Sequence, residues 1–250
     1  MKKLVAMLLV LMMALAFAAC GNSNDGGESK KGGKNNENPQ EGNLTPYTKK
    51  AFSEAEIGSY VFFGSYEQDN DTSNGKEDIE WLVLAREDDR ILVISRYGLD
   101  CQQYNTAETS VTWETCSLRK WLNGTFLNEA FSKSERAMIP CVTVKADKVP
   151  HYDTDPGNDT TDQIFLLSIT EAFEYFSLIS DMQCRGTAYC YAKKPHKGVD
   201  GNCCWWWLRS PGGKPEKAAS VGGNALNEWG GPVNDGAHAI RPALWIYLET

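Results

Sequence analysis

The sequence predicts an α+β fold for residues 52–250, and three observations carry that prediction. Runs dense in β-branched and aromatic residues cluster at both ends of the segment. Two stretches between them carry Ser-x-x-Glu, the spacing of a helix-capping box. Polar stretches rich in Asp, Asn and Gly separate the runs where turns are required.

In chain order, residues 57–66 ("IGSYVFFGSY"), 80–85 ("EWLVLA") and 90–95 ("RILVIS") read as strands, with "EDDR" a tight hairpin between the last two. Residues 117–123 and 132–139 read as short helices, the second opening on the capping box Ser132-x-x-Glu135. Residues 163–167 form a further strand, and Ser168-x-x-Glu171 again has capping-box spacing ahead of "AFEYF". The last third returns to strands at 204–209, 218–221, 225–227 and 240–248.

The N-terminus carries an address. Lys2 and Lys3 precede an unbroken apolar run, residues 4–17, which closes on Ala18-Ala19-Cys20-Gly21. Charge, a short apolar core and a small-residue cleavage site define a secretory signal, assigned to residues 1–19. The run is too short for a comfortable membrane span. Cysteine at the first mature position resembles the bacterial lipoprotein box, with Phe17 where that box usually carries leucine. The resemblance implies diacylation of Cys20 and a membrane anchor without a span. An ordinary signal peptide with an incidental cysteine is the plainer alternative, and the cysteine's spacing disfavours it. Residues 20–51 are crowded with Gly, Asn, Lys, Glu and Ser, cannot bury enough surface to fold, and predict a disordered tether. Such a tether has a root-mean-square reach of roughly 30 Å.

The chain holds 25 Lys and Arg against 33 Asp and Glu, a net charge of −8, and removal of Lys2 and Lys3 makes it more acidic. That balance argues against nucleic acid and against a polybasic membrane contact. Eight cysteines, less the lipid-bearing Cys20, leave Cys101, Cys116, Cys141, Cys184, Cys190, Cys203 and Cys204. An odd count leaves at least one thiol outside any intramolecular disulfide.

Catalytic patterns are scarce. Gly-x-Ser-x-Gly, His-Glu-x-x-His and a phosphate-binding Gly-rich loop are all missing. Ser117-x-x-Lys120 has the nucleophile-and-base spacing of penicillin-recognising enzymes, but the companion motifs are absent. Ser117 is expected instead to cap a helix whose Leu118, Trp121 and Leu122 face the core. The three histidines, His151, His196 and His238, show no metal-ligand spacing and are expected to be solvated, which disfavours zinc. Two acidic loops are calcium candidates. "DNDTSNGKEDIE" offers Asp69, Asp71, Ser73 and Glu80, but it lacks the glycine an EF-hand places sixth and is flanked by strands, so a solvated hairpin loop is the better reading. "YDTDPGNDTTD" is the more generous oxygen cluster, and Asp153, Asp155 and Asp159 are the preferred Ca2+ ligands, with Asn158 and Asp162 nearby.

The segments "GSYEQDNDTSNGKEDIEWLVL", "TWETCSLRKWLN", "CWWWLRSPGG" and "IRPALWI", in that order, resemble a family of bacterial exported domains of unknown function, the DUF6273 type. The likeness covers nearly all of residues 57–248. Ala239 stands where such domains often have glycine. More distantly, "LLSITEAFEYF" looks like a helix of formylglycine-generating-type domains, and "WWLRSP", "AASV" and "AIRPAL" look like their C-terminal part. This implies a C-type-lectin-like architecture, a mixed antiparallel sheet with two or more short helices. Val233-Asn234-Asp235 is similar to a calcium element of lectins, although the Glu-Pro-Asn sugar element is absent.

On a strand, Trp205 and Trp207 share one face while Trp206 and Leu208 share the other, and a strand apolar on both faces is normally buried. Core is therefore the leading expectation for the tryptophan run. A surface groove edged by Trp206, Arg209 and the following Ser-Pro-Gly-Gly turn is the functional alternative, because indole stacks on sugar rings and guanidinium orients polar groups. Trp229, among turn residues, is the best exposed aromatic. Arg241 is expected half-buried and paired with a carboxylate. The resulting expectation is a non-catalytic module that binds a glycan, cell-wall fragment or protein through Trp206, Arg209, Trp229, Asn234 and Asp235. The alternatives are an exported cysteine-dependent enzyme related to formylglycine-generating domains, and a purely structural surface protein.

Overall fold

A computed structural model describes residues 50–199, 201–223 and 225–248. The expected signal segment, Cys20 and nearly all of the expected tether lie outside the described residues. The described residues fall within one compact unit. Among them, no helix is long and apolar enough to cross a membrane.

The strand-like runs become β1 (Tyr60–Tyr66), β2 (Glu77–Arg86) and β3 (Arg90–Ser95), followed by a short β4 (Asp100–Cys101). The "EDDR" turn closes with Glu87 N–H donating to Arg90 O at 2.8 Å. Next come β5 (Val142–Val144), β6 (Thr160–Asp162) and β7 (Ile164–Phe165). The C-terminal third supplies β8 (Trp206–Pro211), β9 (Lys217–Val221), β10 (Leu226–Pro232), β11 (Ala239–Ile240) and β12 (Ala243–Tyr247). They form one five-stranded sheet of order β1-β2-β3-β12-β7, a second of order β10-β9-β8-β11-β4, and the ribbon β5-β6. All pairings are antiparallel except β11 with β8. With short helices between the strands, the fold is α+β, as predicted.

The helices are α1 (Lys50–Ser53), α2 (Ser117–Trp121), α3 (Leu127–Ala130), α4 (Lys133–Ala137), α5 (Ile169–Tyr175), α6 (Ile179–Met182) and α7 (Ala188–Ala192). A π-helical turn, Leu122–Phe126, joins α2 to α3. Both capping boxes form: Ser132 with Glu135 opens α4, and Ser168 with Glu171 opens α5. Ser117 is not a cap. Cys116 holds that position, its Sγ accepting from Arg119 N–H at 3.4 Å, while Ser117 Oγ accepts from Thr106 N–H at 3.0 Å.

A single apolar cluster joins the two five-stranded sheets and the helices. Strand β1 bends at a bulge, where Gly64 adopts φ +67° and a Cβ would lie 2.5 Å from the Phe131 ring. Every residue of β8 is buried, so its run of apolar residues on both faces reflects burial on both faces.

Candidate functional site

The tryptophan run divides. Trp206 and Trp207 have no exposed surface, and each donates its indole N–H to a carbonyl: Trp206 to Met182 O at 3.1 Å, Trp207 to Gln102 O at 3.0 Å. Arg241 stacks over Trp206 at 5.1 Å. That arginine is more deeply buried than expected, and among the described residues its guanidinium is held by Ser95 O at 2.8 Å and by the Trp206 and Phe176 rings rather than by a carboxylate.

Arg209 also belongs to the core. Its Nη1 and Nη2 clamp both oxygens of Glu171, the second at 2.8 Å. Its remaining donors reach Leu166 O at 2.9 Å and Lys145 O at 3.2 and 3.1 Å. All five guanidinium N–H groups are thus engaged. Trp206 and Arg209 are corrected here from groove residues to core residues, because satisfying a two-sided strand consumes both side chains.

Trp229 remains exposed, at 44 %, with Tyr152 against its edge and Lys217 5.1 Å from its ring centre. It lies beside Gly212 and Gly213, past the C-terminal end of β8, whereas Trp205 precedes the N-terminal end. Asn234 and Asp235 are half-buried in the turn after β10, where Asn234 O accepts from Gln103 Nε2 at 2.6 Å. The five expected ligand residues therefore do not share one surface.

Within the run of three, Trp205 alone keeps exposed surface. It is half-buried, and its ring lies over Gly222, where a Cβ would stand 3.2 Å from the indole. It walls a cavity of about 360 Å³ lined also by Lys197, Val199, Gly222, Leu226 and Asn227. Its indole N–H is buried without a hydrogen-bond partner among the described residues.

Beside Trp205 the backbone draws three distant residues together. Trp205 N–H donates to His196 O at 2.9 Å, His196 N–H to Ala237 O at 2.7 Å, and Ala239 N–H to Trp205 O at 2.7 Å. These bonds seat His196 and His238 against one another, with ring centres 5.3 Å apart. Asp235 closes a local turn by accepting from Ala237 N–H at 2.9 Å through Oδ1, and its Oδ2 meets His196 Nε2 at 2.7 Å. His238, stacked on Trp207 at 3.7 Å, is 1 % exposed. Desolvation pushes its pKa down to about 4, with His196 adding to the fall and Asp235 opposing it. Burial pushes the Asp235 carboxyl up, but the Ala237 N–H and the two histidines carry it below the usual range.

His238 was expected to be solvated, and a zinc-type grouping was disfavoured by spacing. The structure buries His238 and brings His196, Asp235 and His238 together. His196 and His238 lie on separate loops, so their meeting left no spacing signal in the sequence.

The calcium candidates are also corrected. Asp159 binds Lys145 Nζ at 2.6 Å and Ala146 N–H at 2.9 Å, Asp153 meets Lys148 at 3.2 Å, and Asp155 accepts from Gly157 N–H at 3.0 Å. These three carboxylates serve lysines and their own backbone and form no ligand cluster. Among the described residues, the groups with metal-ligand spacing are His196–Asp235–His238 and Glu67–Asp69–Glu77. In the second group, Glu77 Oε2 already accepts from Gln68 and Asp69 N–H at 2.6 and 3.2 Å.

Four of the buried cysteines are held away from the thiolate form. Burial pushes Cys116 up to about 12 and raises Cys184, and contact with Cys101 raises Cys190. Cys204 is drawn down by Cys184 but carried up overall by Cys190 and burial.

The family model described as Domain of unknown function (DUF6273) matches residues 88–248. The chain belongs to the DUF6273 family. The match takes in β3 to β12, the Trp205 cavity and the His196–Asp235–His238 cluster; β1 and β2, with the expected hallmark around residues 64–84, precede it. No curated protein and no solved structure matches the chain.

Proposed function

We propose that this DUF6273 chain is an extracytoplasmic lipoprotein whose folded domain is a non-catalytic binding module, held at the membrane through Cys20 and a flexible tether. The ligand class that best suits it is a saccharide, free or as part of a cell-wall fragment, docked in the Trp205 cavity. One observation carries this reading: a cavity of about 360 Å³ is walled by the half-buried indole of Trp205. Its volume lies in the range of small-ligand sites. An indole face stacks on the apolar face of a sugar ring, and Asn227 and Lys197 add polar groups to the lining. The C-type-lectin-like architecture belongs to the same proposal, supported by mixed strands, short helices and the loop-rich stretch between β5 and β8.

The test is binding of the full-length chain, in detergent, to a panel of cell-wall and host glycans. Saturable binding lost in Trp205→Ala and kept in Trp229→Ala is the expected result. The reverse pattern would move the site to Trp229 and Tyr152. Glycan binding absent from the whole panel would refute the saccharide assignment. For the anchor, fatty-acid labelling in a bacterial host should be present in the natural chain and lost in Cys20→Ala; an unlabelled natural chain would refute it.

A further inference from the structure

His238 poses a problem that packing does not solve. It is 1 % exposed, and neither ring nitrogen has a hydrogen-bond partner among the described residues. Buried polar groups left unmatched are destabilising and rare in folded proteins. Its Nδ1 stands 3.5 Å from Asp235 Oδ2, and that same oxygen is 2.7 Å from His196 Nε2. One donor atom from each residue lies within 4.8 Å of the other two.

We infer that His196, Asp235 and His238 form a three-ligand site for a divalent transition-metal ion of the zinc class. Ligand atoms about 2.0–2.2 Å from a tetrahedral metal are roughly 3.3 Å apart, and the 2.7 and 3.5 Å spacings from Asp235 Oδ2 to the two imidazoles bracket that value. Closing the site requires the His196–Asp235 contact to open by about half an ångström, which the half-exposed His196 side chain can supply. A metal ion gives the buried imidazole a partner at Nδ1. It also gives Asp235 Oδ2 a cation to bind, while Oδ1 stays fixed by the Ala237 N–H, the kind of outer bond that orients a metal ligand.

The donor set selects the ion. Two imidazole nitrogens and one carboxylate suit zinc and its neighbours, whereas calcium takes six to eight oxygens. Three protein ligands leave a fourth position for water or a ligand's donor atom, and the exposed side of His196 provides the entry. The site stands whether or not a saccharide occupies the neighbouring cavity.

The experiment is a Zn2+ titration of the full-length, reduced, chelator-treated chain by calorimetry, with Ca2+ in parallel and Co2+ as a spectroscopic probe. The expected result is one equivalent of Zn2+ and no competition from Ca2+. The Co2+ adduct should show visible bands without a thiolate charge-transfer band. His196→Ala and Asp235→Asn should each weaken Zn2+ binding by about 100-fold or more, since outer-shell losses alone cost 10–100-fold. These variants are chosen over His238→Ala because neither residue fills the core, and Asn can still accept from the Ala237 N–H. Unchanged Zn2+ affinity in both variants would overturn the assignment. So would a thiolate band with Co2+, which would place the metal on the cysteines, or no stoichiometric binding at all.

Discussion

Glu171→Gln tests whether Arg209 is a structural clamp or a ligand contact. The Arg209 side chain is 2 % exposed and that of Glu171 is 24 % exposed, and the two make a bidentate pair linking β8 to the first turn of α5. Removing one partner of a fully buried pair costs about 3–5 kcal/mol, because the other charge is left uncompensated. Two features reduce that figure here. Glu171 is partly solvated, and the Asp147 carboxylate lies 3.9 Å from Nη2 and retains some compensation. The amide oxygen of glutamine can still accept from Ser168 N–H, so the capping bond survives. The expected loss is therefore about 2 kcal/mol, or about 6 °C in Tm for a domain of this size. Urea unfolding followed by tryptophan fluorescence measures it directly, with an unchanged slope expected. Arg209→Met in the Glu171→Gln background should destabilise by less than the sum of the two single changes, since the lone buried cation is gone. A loss below about 0.5 kcal/mol for Glu171→Gln would mean that Arg209 is solvated, and would return it to the ligand-binding candidates.

Three further outcomes follow from the same structure. In the reduced native chain, a thiol reagent should modify Cys141 rapidly and the other six domain cysteines only on unfolding, because Cys141 alone among them is exposed; a fast second thiol would revive the cysteine-enzyme alternative. Because His238 titrates near 4 when folded against 6.5 when unfolded, its neutral burial favours folding fully above pH 6.5. That contribution is lost as pH falls towards 4 and is flat below; on the order of 3 kcal/mol is at stake, scaled by 1.36 kcal/mol per unit. Unfolding midpoints taken across that window with chelator present should show the slope, and His238→Gln should flatten it. Gly64→Ala should cost more than about 2 kcal/mol, since it combines a left-handed backbone with overlap at the Phe131 ring; a thermal shift under 3 °C would contradict the bulge geometry.

Local chemistry was legible in the sequence. The capping boxes at Ser132 and Ser168, the "EDDR" hairpin and the main strands of both sheets follow from neighbours a few residues apart, and they formed as predicted. The two-sided burial of "WWLRSP" could be read from apolar residues on both faces. Helix α2 shows the limit: its cap passed from Ser117 to Cys116 because Thr106, eleven residues away, takes the serine hydroxyl.

What the sequence determined by itself is the α+β class and the buried core strand. Only the tertiary structure decided which polar residues meet. Arg209 was drawn inward because α5 brings Glu171 to it. His196 and His238 became neighbours because residues 196, 205 and 237–239 share backbone hydrogen bonds across loops. Periodicity and capping act within a few residues, where spacing records them. A site assembled from separate loops depends on long-range pairing, and no local pattern in the chain encodes it.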